Sequence, residues 1–180
     1  MLKNNPYMKA YLNTIKESSI STVSIKKYQK IAEEIGGEYI PETNTIDCKR
    51  NKVYFKNDWL DENGSFDFKL INTSNDWSFM FNYCTQLKYL PDDFIIPDDV
   101  KDCSSMFQKC TQLKYLPENF TIPESVKDCD SMFFGCYQLV ELPPMFHIPY
   151  NCHSFNIFFG CDALHKLRKD DPQLYVMHEI

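Results

Sequence analysis

Apolar positions along most of this chain recur at a long period, beyond the 3.6 residues of a helix or the 2 of a strand, and such a period is the mark of a repeat architecture. Residues 84–109 read CTQLKYLPDDFIIPDDVKDCSSMFQK and residues 110–135 read CTQLKYLPENFTIPESVKDCDSMFFG, with 18 of 26 positions identical. Residues 136–160 read CYQLVELPPMFHIPYNCHSFNIFFG, a third copy of 25 residues. Aligned on Cys152, it is three residues shorter before that cysteine and two longer after Ser154. A fourth copy begins at Cys161 and stops after Leu167. A degenerate one precedes the first: Phe68, Leu70, Asp76, Met80 and Phe81 lie 26 residues before Phe94, Ile96, Asp102, Met106 and Phe107.

The repeat writes columns. Cys84, Cys110, Cys136 and Cys161 form one; Leu87, Leu113, Leu139 and Leu164 another; Leu90, Leu116, Leu142 and Leu167 a third; Phe94, Phe120 and Phe146 a fourth. A single copy is too thin to bury both its faces, whereas stacked copies cover one another's apolar edges. The pattern therefore predicts a mainly β protein, a leucine-rich-repeat-type β-solenoid of about four coils, with neighbouring coils about 4.8 Å apart. Leu-Pro at 90–91, 116–117 and 142–143 should end a short strand, because proline cannot donate to a ladder. Ile-Pro at 96–97, 122–123 and 148–149 should mark a second corner, and two prolines per copy disfavour a central helix. The stretch 104–109 reads equally as a short strand or a turn of helix.

The N-terminal residues follow a different rhythm. Tyr7, Met8, Tyr11, Leu12 and Ile15 share one helical face; Ile25, Tyr28, Ile31, Ala32 and Ile35 share another, opposite Lys26, Lys27, Lys30, Glu33 and Glu34. Ser21 or Thr22 can cap the second helix and Gly36-Gly37 can end it. Ile46, Val53, Tyr54 and Phe55 read as strand across 45–55. The expected organisation is a small α/β N-terminal cap over 1–57, the repeats over 58–167, and a C-terminal cap or tail over 168–180. Leu174, Tyr175, Val176 and Met177 give that tail an apolar end that either caps the last coil or docks on a neighbour, which leaves an oligomer open.

The run V-x-x-C-x-S-M-F-x-x-C-x-x-L-x-x-L-P, carried here by Val100, Cys103, Ser105, Met106, Phe107, Cys110, Leu113, Leu116 and Pro117, resembles the BspA-type leucine-rich repeats and related surface-protein repeats of bacteria and protists. The resemblance covers the repeats and not the N-terminal residues. It implies a stacked β-solenoid, a role in adhesion or protein recognition, and no catalytic residues.

Composition narrows the function classes. Aromatic residues make up 15% of the chain, enough for a large core. The net charge of −6 argues against nucleic acid, which needs a basic face. No run approaches the roughly 20 apolar residues of a membrane span, and the first residues lack a signal peptide's apolar core. The expected setting is therefore cytoplasmic or virion-associated.

Among the chemistry-bearing residues, the cysteine columns, including Cys103 and Cys129, read as buried apolar fillers; a cross-link between neighbouring coils is allowed by distance but needs unusual geometry. Cys152, His153, Cys161 and His165 carry zinc-compatible donors without a C-x-x-C knuckle. Cys48 has no histidine near it in sequence, and His147, His153, His165 and His178 are all C-terminal. No nucleophile elbow, phosphate loop or metal-carboxylate motif occurs, so no cofactor, metal or catalytic residue is assigned. Asp92-Asp93 and Asp98-Asp99 read as a solvated acidic rim. Ser105, Ser131 and Ser154 form a hydroxyl column, and Gln86, Gln112 and Gln138 an amide column. Lys88, Tyr89, Lys114 and Tyr115 stack as basic-aromatic pairs and are the candidate partner-binding residues, since tyrosine is enriched at binding hot spots. The expectation is a non-enzymatic protein-protein interaction module, with a component of a larger assembly such as a phage particle as one setting. A surface adhesin recognising a host molecule is the alternative, and a thiol- or zinc-dependent enzyme the third reading.

Overall fold

The computed structural model of the chain describes residues 20–164. The helical face expected at 7–15, the apolar tail at 170–180 and the column position Leu167 lie outside them. The described residues are mostly non-helical, with one α-helix and one three-stranded sheet.

Helix α1, Thr22–Glu34, begins where Ser21 accepts the N–H of Ser24 on its hydroxyl, satisfying one of the donors a helix start leaves open. It ends where Gly36 takes φ +69°, with Gly36 N–H on the Glu33 carbonyl and Gly37 N–H on that of Ala32, a Schellman closure. Ile25, Tyr28, Ile31 and Ala32 are buried, as their spacing predicts, while Lys26, Lys30, Glu33 and Glu34 face water. Strand β1, Glu38–Ile40, turns through Pro41–Thr43 into β2, Thr45–Asp47, antiparallel with Ile40 opposite Thr45. Strand β3, Lys69–Ile71, pairs parallel with β2, placing Leu70 opposite Ile46. The strand expected across 45–55 is thus only three residues long. Lys49, at φ +54°, turns the chain out of β2. Tyr28 joins this part to the repeats: its ring packs 5.1 Å from that of Phe68 and its hydroxyl donates to Asp67.

The repeats are joined in an unusual way. Only single-residue bridges connect them in strand fashion: Asp76↔Asp102, Asp102↔Asp128, Asp128↔His153 and Tyr89↔Tyr115, all parallel. Residues 77–84 and their equivalents, including the undecided stretch 104–109, are neither strand nor helix but a series of overlapping tight turns. Backbone accounting explains how this segment is held. The N–H groups of Trp77, Phe79, Phe81 and Tyr83 donate to the carbonyls of Asp102, Ser104, Met106 and Gln108 in the next copy. Between them, Met80, Asn82 and Cys84 donate three residues back within their own copy, and Ser78 N–H goes to the Asp76 carboxylate. Every N–H from 77 to 84 is therefore used, alternately between copies and within one.

The alternation repeats. Cys103, Ser105, Phe107 and Lys109 donate to Asp128, Asp130, Met132 and Phe134; Cys129, Ser131, Phe133 and Gly135 donate to His153, Phe155, Ile157 and Phe159. It also reaches back to Phe55, whose N–H meets the Met80 carbonyl at 2.6 Å. The turns need left-handed backbone twice per copy, at Phe79 and Tyr83, Ser105 and Lys109, Ser131 and Gly135, Asn156 and Gly160.

This places the third copy differently from its sequence alignment. Cys152 N–H closes a turn onto Pro149, as Val100 does on Pro97 and Val126 on Pro123, so Cys152 stands in the valine column. One residue is then missing between Cys152 and His153, which pairs with Asp128, and Ser154 falls beside Cys129 while Asn156 follows Ser131. The hydroxyl column thus runs through Ser105 and Ser131 only.

Matching side chains share interior rows. Phe81, Phe107, Phe133 and Phe158 stack with ring centres 5.2, 5.4 and 5.6 Å apart and planes within 8°. Phe94, Phe120 and Phe146 make a second row at 6.4 and 6.3 Å, edge-on to the first. Aromatic pairs of both geometries stabilise by about 0.5–1.5 kcal/mol beyond the area they bury. Leu87, Leu113, Leu139 and Leu164 lie buried in the same core, as do Leu90, Leu116 and Leu142.

The cysteine column has a polar use that its burial alone hides. The thiols of Cys84, Cys110, Cys136 and Cys161 donate to the carbonyls of Phe55, Phe81, Phe107 and Phe133 at 3.0–3.1 Å. Cysteine suits this position because it packs as a small apolar group and still offers one weak donor.

Candidate functional site

The candidate residues lie where the chain leaves the leucine columns. Lys88 N–H donates to the Gly64 carbonyl, Lys114 N–H to Lys88, and Val140 N–H to Lys114, which holds these segments side by side. Leu87 and Leu90 point inward, so Tyr89 between them points out, and the 26-residue period puts Tyr115 beside it. The two rings stack with centres 6.4 Å apart and planes 7° apart, and 39% and 46% of the residues' surface stays exposed. Lys88 and Lys114 are half-buried. The structure thus brings the four residues together as one stripe.

Next to Tyr115 is an open cleft of about 330 Å³ lined by Leu116, Glu118, Glu141, Leu142, Pro143 and Pro144. Asp92, Glu118 and Asn119 line a second hollow close by. Asp92, Asp93, Asp98 and Asp99 are exposed, and only Asp93 has an ion-pair partner among the described residues, Lys69 at 3.2 Å. The stripe therefore runs from paired tyrosines toward an acidic border.

A second aromatic surface escaped the sequence reading. Phe134 and Phe159 stack at 5.3 Å, and the Lys109 ammonium lies 5.1 Å from the Phe134 ring centre and 5.6 Å from that of Tyr137. The signal was present as Phe134 and Phe159, each two residues before a column cysteine, but Asn82 and Gln108 hold that position in the earlier copies, so it did not read as a column. Phe155 and Tyr150, 67% and 84% exposed, add apolar surface in the last copy.

The catalytic and metal candidates separate. Cys48 is buried, and burial pushes its thiol up to about 12, far from the thiolate a nucleophile needs. Burial likewise pushes Cys84 and Cys161 up to about 12. Cys161 is committed to the Phe133 carbonyl, and His165 and His178 lie outside the described residues. His147 pairs with Glu124 at 3.0 Å on the surface. His153 is exposed, with its backbone carbonyl taken by Cys129 N–H. No group of three or more His, Cys, Asp or Glu placed to hold a metal occurs among the described residues. No described helix is long and apolar enough to cross a membrane.

Comparison with protein-family models, with curated proteins and with solved structures finds no match.

Proposed function

We propose that this chain is a leucine-rich-repeat-type β-solenoid of the BspA kind that works as a protein-binding scaffold, using the stripe of Lys88, Tyr89, Lys114 and Tyr115. The observation that carries the reading is the pair of stacked, half-exposed tyrosines, set opposite one another next to the Lys114 N–H to Lys88 carbonyl bond. Tyrosine supplies a large contact area with few rotatable bonds, so little entropy is lost when a partner covers it. A pre-stacked pair lowers that cost further. The acidic border and the proline-lined cleft beside Tyr115 suit a partner loop that presents an apolar or aromatic side chain next to a lysine or arginine.

The test compares capture from the native source by the wild-type chain and by the double variant Tyr89→Ala/Tyr115→Ala, with Tyr150→Ala as the control surface change. A partner retained by wild type and Tyr150→Ala but lost from the double variant supports the reading. Equal capture by all three, with unchanged thermal unfolding, removes it.

A further inference from the structure

We propose that Cys129 and Cys152 form a redox-responsive cross-link, closed by exchange with a low-molecular-weight disulfide of the glutathione type. Their Sγ atoms lie 2.8 Å apart. A disulfide bond of about 2.05 Å is therefore reached by a movement of less than ~1 Å. The pair is asymmetric: Cys129 is buried and Cys152 is half-buried, so a solute reaches one sulfur and not the other. The other six thiols are buried, and four of them already donate to phenylalanine carbonyls.

The juxtaposition follows from the local sequence change in the third copy. Cys152 takes the place that Val100 and Val126 hold in the preceding copies, one layer above Val126 and alongside Cys129. The valine positions have no sulfur, so only this layer places two thiols together. Both sulfurs also lie near the His153 carbonyl, at 3.1 Å from Cys129 and 3.4 Å from Cys152, an acceptor for whichever S–H is not turned toward its neighbour.

The exchange balances in two steps. Cys152 loses its proton to water, and its thiolate attacks one sulfur of the small disulfide, whose S–S bond breaks and releases one small thiolate. The mixed disulfide now sits against Cys129. Cys129 gives up its proton and attacks the Cys152 sulfur, expelling the second small thiolate. Two protein thiols are oxidised, one small disulfide is reduced, and the two protons go to the released thiolates. The contact with the Cys152 thiol, together with burial, holds the Cys129 proton on, which makes Cys152 the entry point and Cys129 the resolving sulfur. Proximity favours the second step over escape of the adduct.

The closed ring spans residues 129–152 and encloses Glu141, Leu142, Pro143 and Pro144, which line the cleft beside Tyr115. Oxidation therefore ties the second copy to the third around the proposed binding face, although the cross-link does not rest on that proposal.

The test equilibrates the purified full chain in glutathione buffers of increasing oxidised fraction, quenches with acid, alkylates and maps the peptides. The expected result is loss of two hydrogens, one linked peptide pair joining Cys129 to Cys152, and six alkylated thiols. The thermal midpoint should rise by about 5–10 °C over the dithiothreitol-treated chain. Cys152→Ser should show no redox response of its midpoint. Eight alkylated thiols in oxidising buffer, a persistent glutathione adduct on Cys152 with Cys129 still alkylated, or linkages among other cysteines would each overturn the proposal. Because the mapping is done on wild-type protein, a variant that fails to fold does not weaken the test.

Discussion

The thiol of Cys110 donates to the carbonyl oxygen of Phe81 at 3.0 Å, and the same oxygen accepts the N–H of Cys84 at 3.0 Å. Both lone pairs of a buried carbonyl are thus used, one by its own copy and one by the next. Cys110→Ala removes one donor and opens a small cavity. The expected loss is about 1–2 kcal/mol in urea unfolding. Cys152→Ala, made at a half-buried sulfur outside this column, should cost less than about 0.5 kcal/mol under reducing conditions.

The left-handed positions give a prediction of opposite sign at two sites of one column. Tyr83 adopts φ 59° where the second and third copies have Gly135 and Gly160, and it is 61% exposed. Tyr83→Gly should stabilise by about 0.5–1 kcal/mol, because relief of the backbone conformation exceeds the small loss of packing. Gly135→Ala should destabilise by about 1–2 kcal/mol, and the added methyl would also stand 3.0 Å from Lys109 Cδ. Chemical denaturation of both variants checks the pair.

Phe107 sits in the middle of the interior stack, between Phe81 and Phe133 and edge-on to Phe94 and Phe120. Phe107→Ala should cost about 3–5 kcal/mol, while Phe158→Ala, which among the described residues stacks on Phe133 alone, should cost less. The difference between the two midpoints in urea measures what a neighbour on each side adds.

Buried thiols make stability fall at alkaline pH. Burial raises Cys48, Cys84 and Cys161 from 9.0 to about 12. The unfolded chain therefore loses these protons first as pH rises. Their stabilisation is fully present below pH 9 and is lost between about 9 and 12, at about 1.4 kcal/mol per pH unit for each thiol. Urea midpoints at pH 8, 9 and 10 should drop accordingly, and Cys84→Ala should lower the slope by one thiol's share.

How far the fold was legible follows from the same residues. The leucine, phenylalanine and cysteine columns were readable because burial imposes one residue type at one period. Helix α1 was readable from its cap, apolar face and glycine stop. The turn segments were not, because Phe79, Tyr83 and Lys109 occupy left-handed backbone without glycine's signature, and their bonds reach residues about 25 positions away. The basic-aromatic stripe could be located because Tyr89 and Tyr115 are flanked by buried leucines. Cysteines in neighbouring copies were legible as neighbours, but the position of Cys152 in the valine column, with its sulfur turned against that of Cys129, was not, because the alignment on a shared cysteine placed it elsewhere.

Stacking of successive copies through alternate N–H groups is tested most directly by through-hydrogen-bond scalar couplings in isotope-labelled protein. Couplings from the Phe81 nitrogen to the Met106 carbonyl carbon, and from the Phe107 nitrogen to that of Met132, are the expected result. Protected amides at Phe81 and Phe107 that couple instead to carbonyls within their own copy would contradict it.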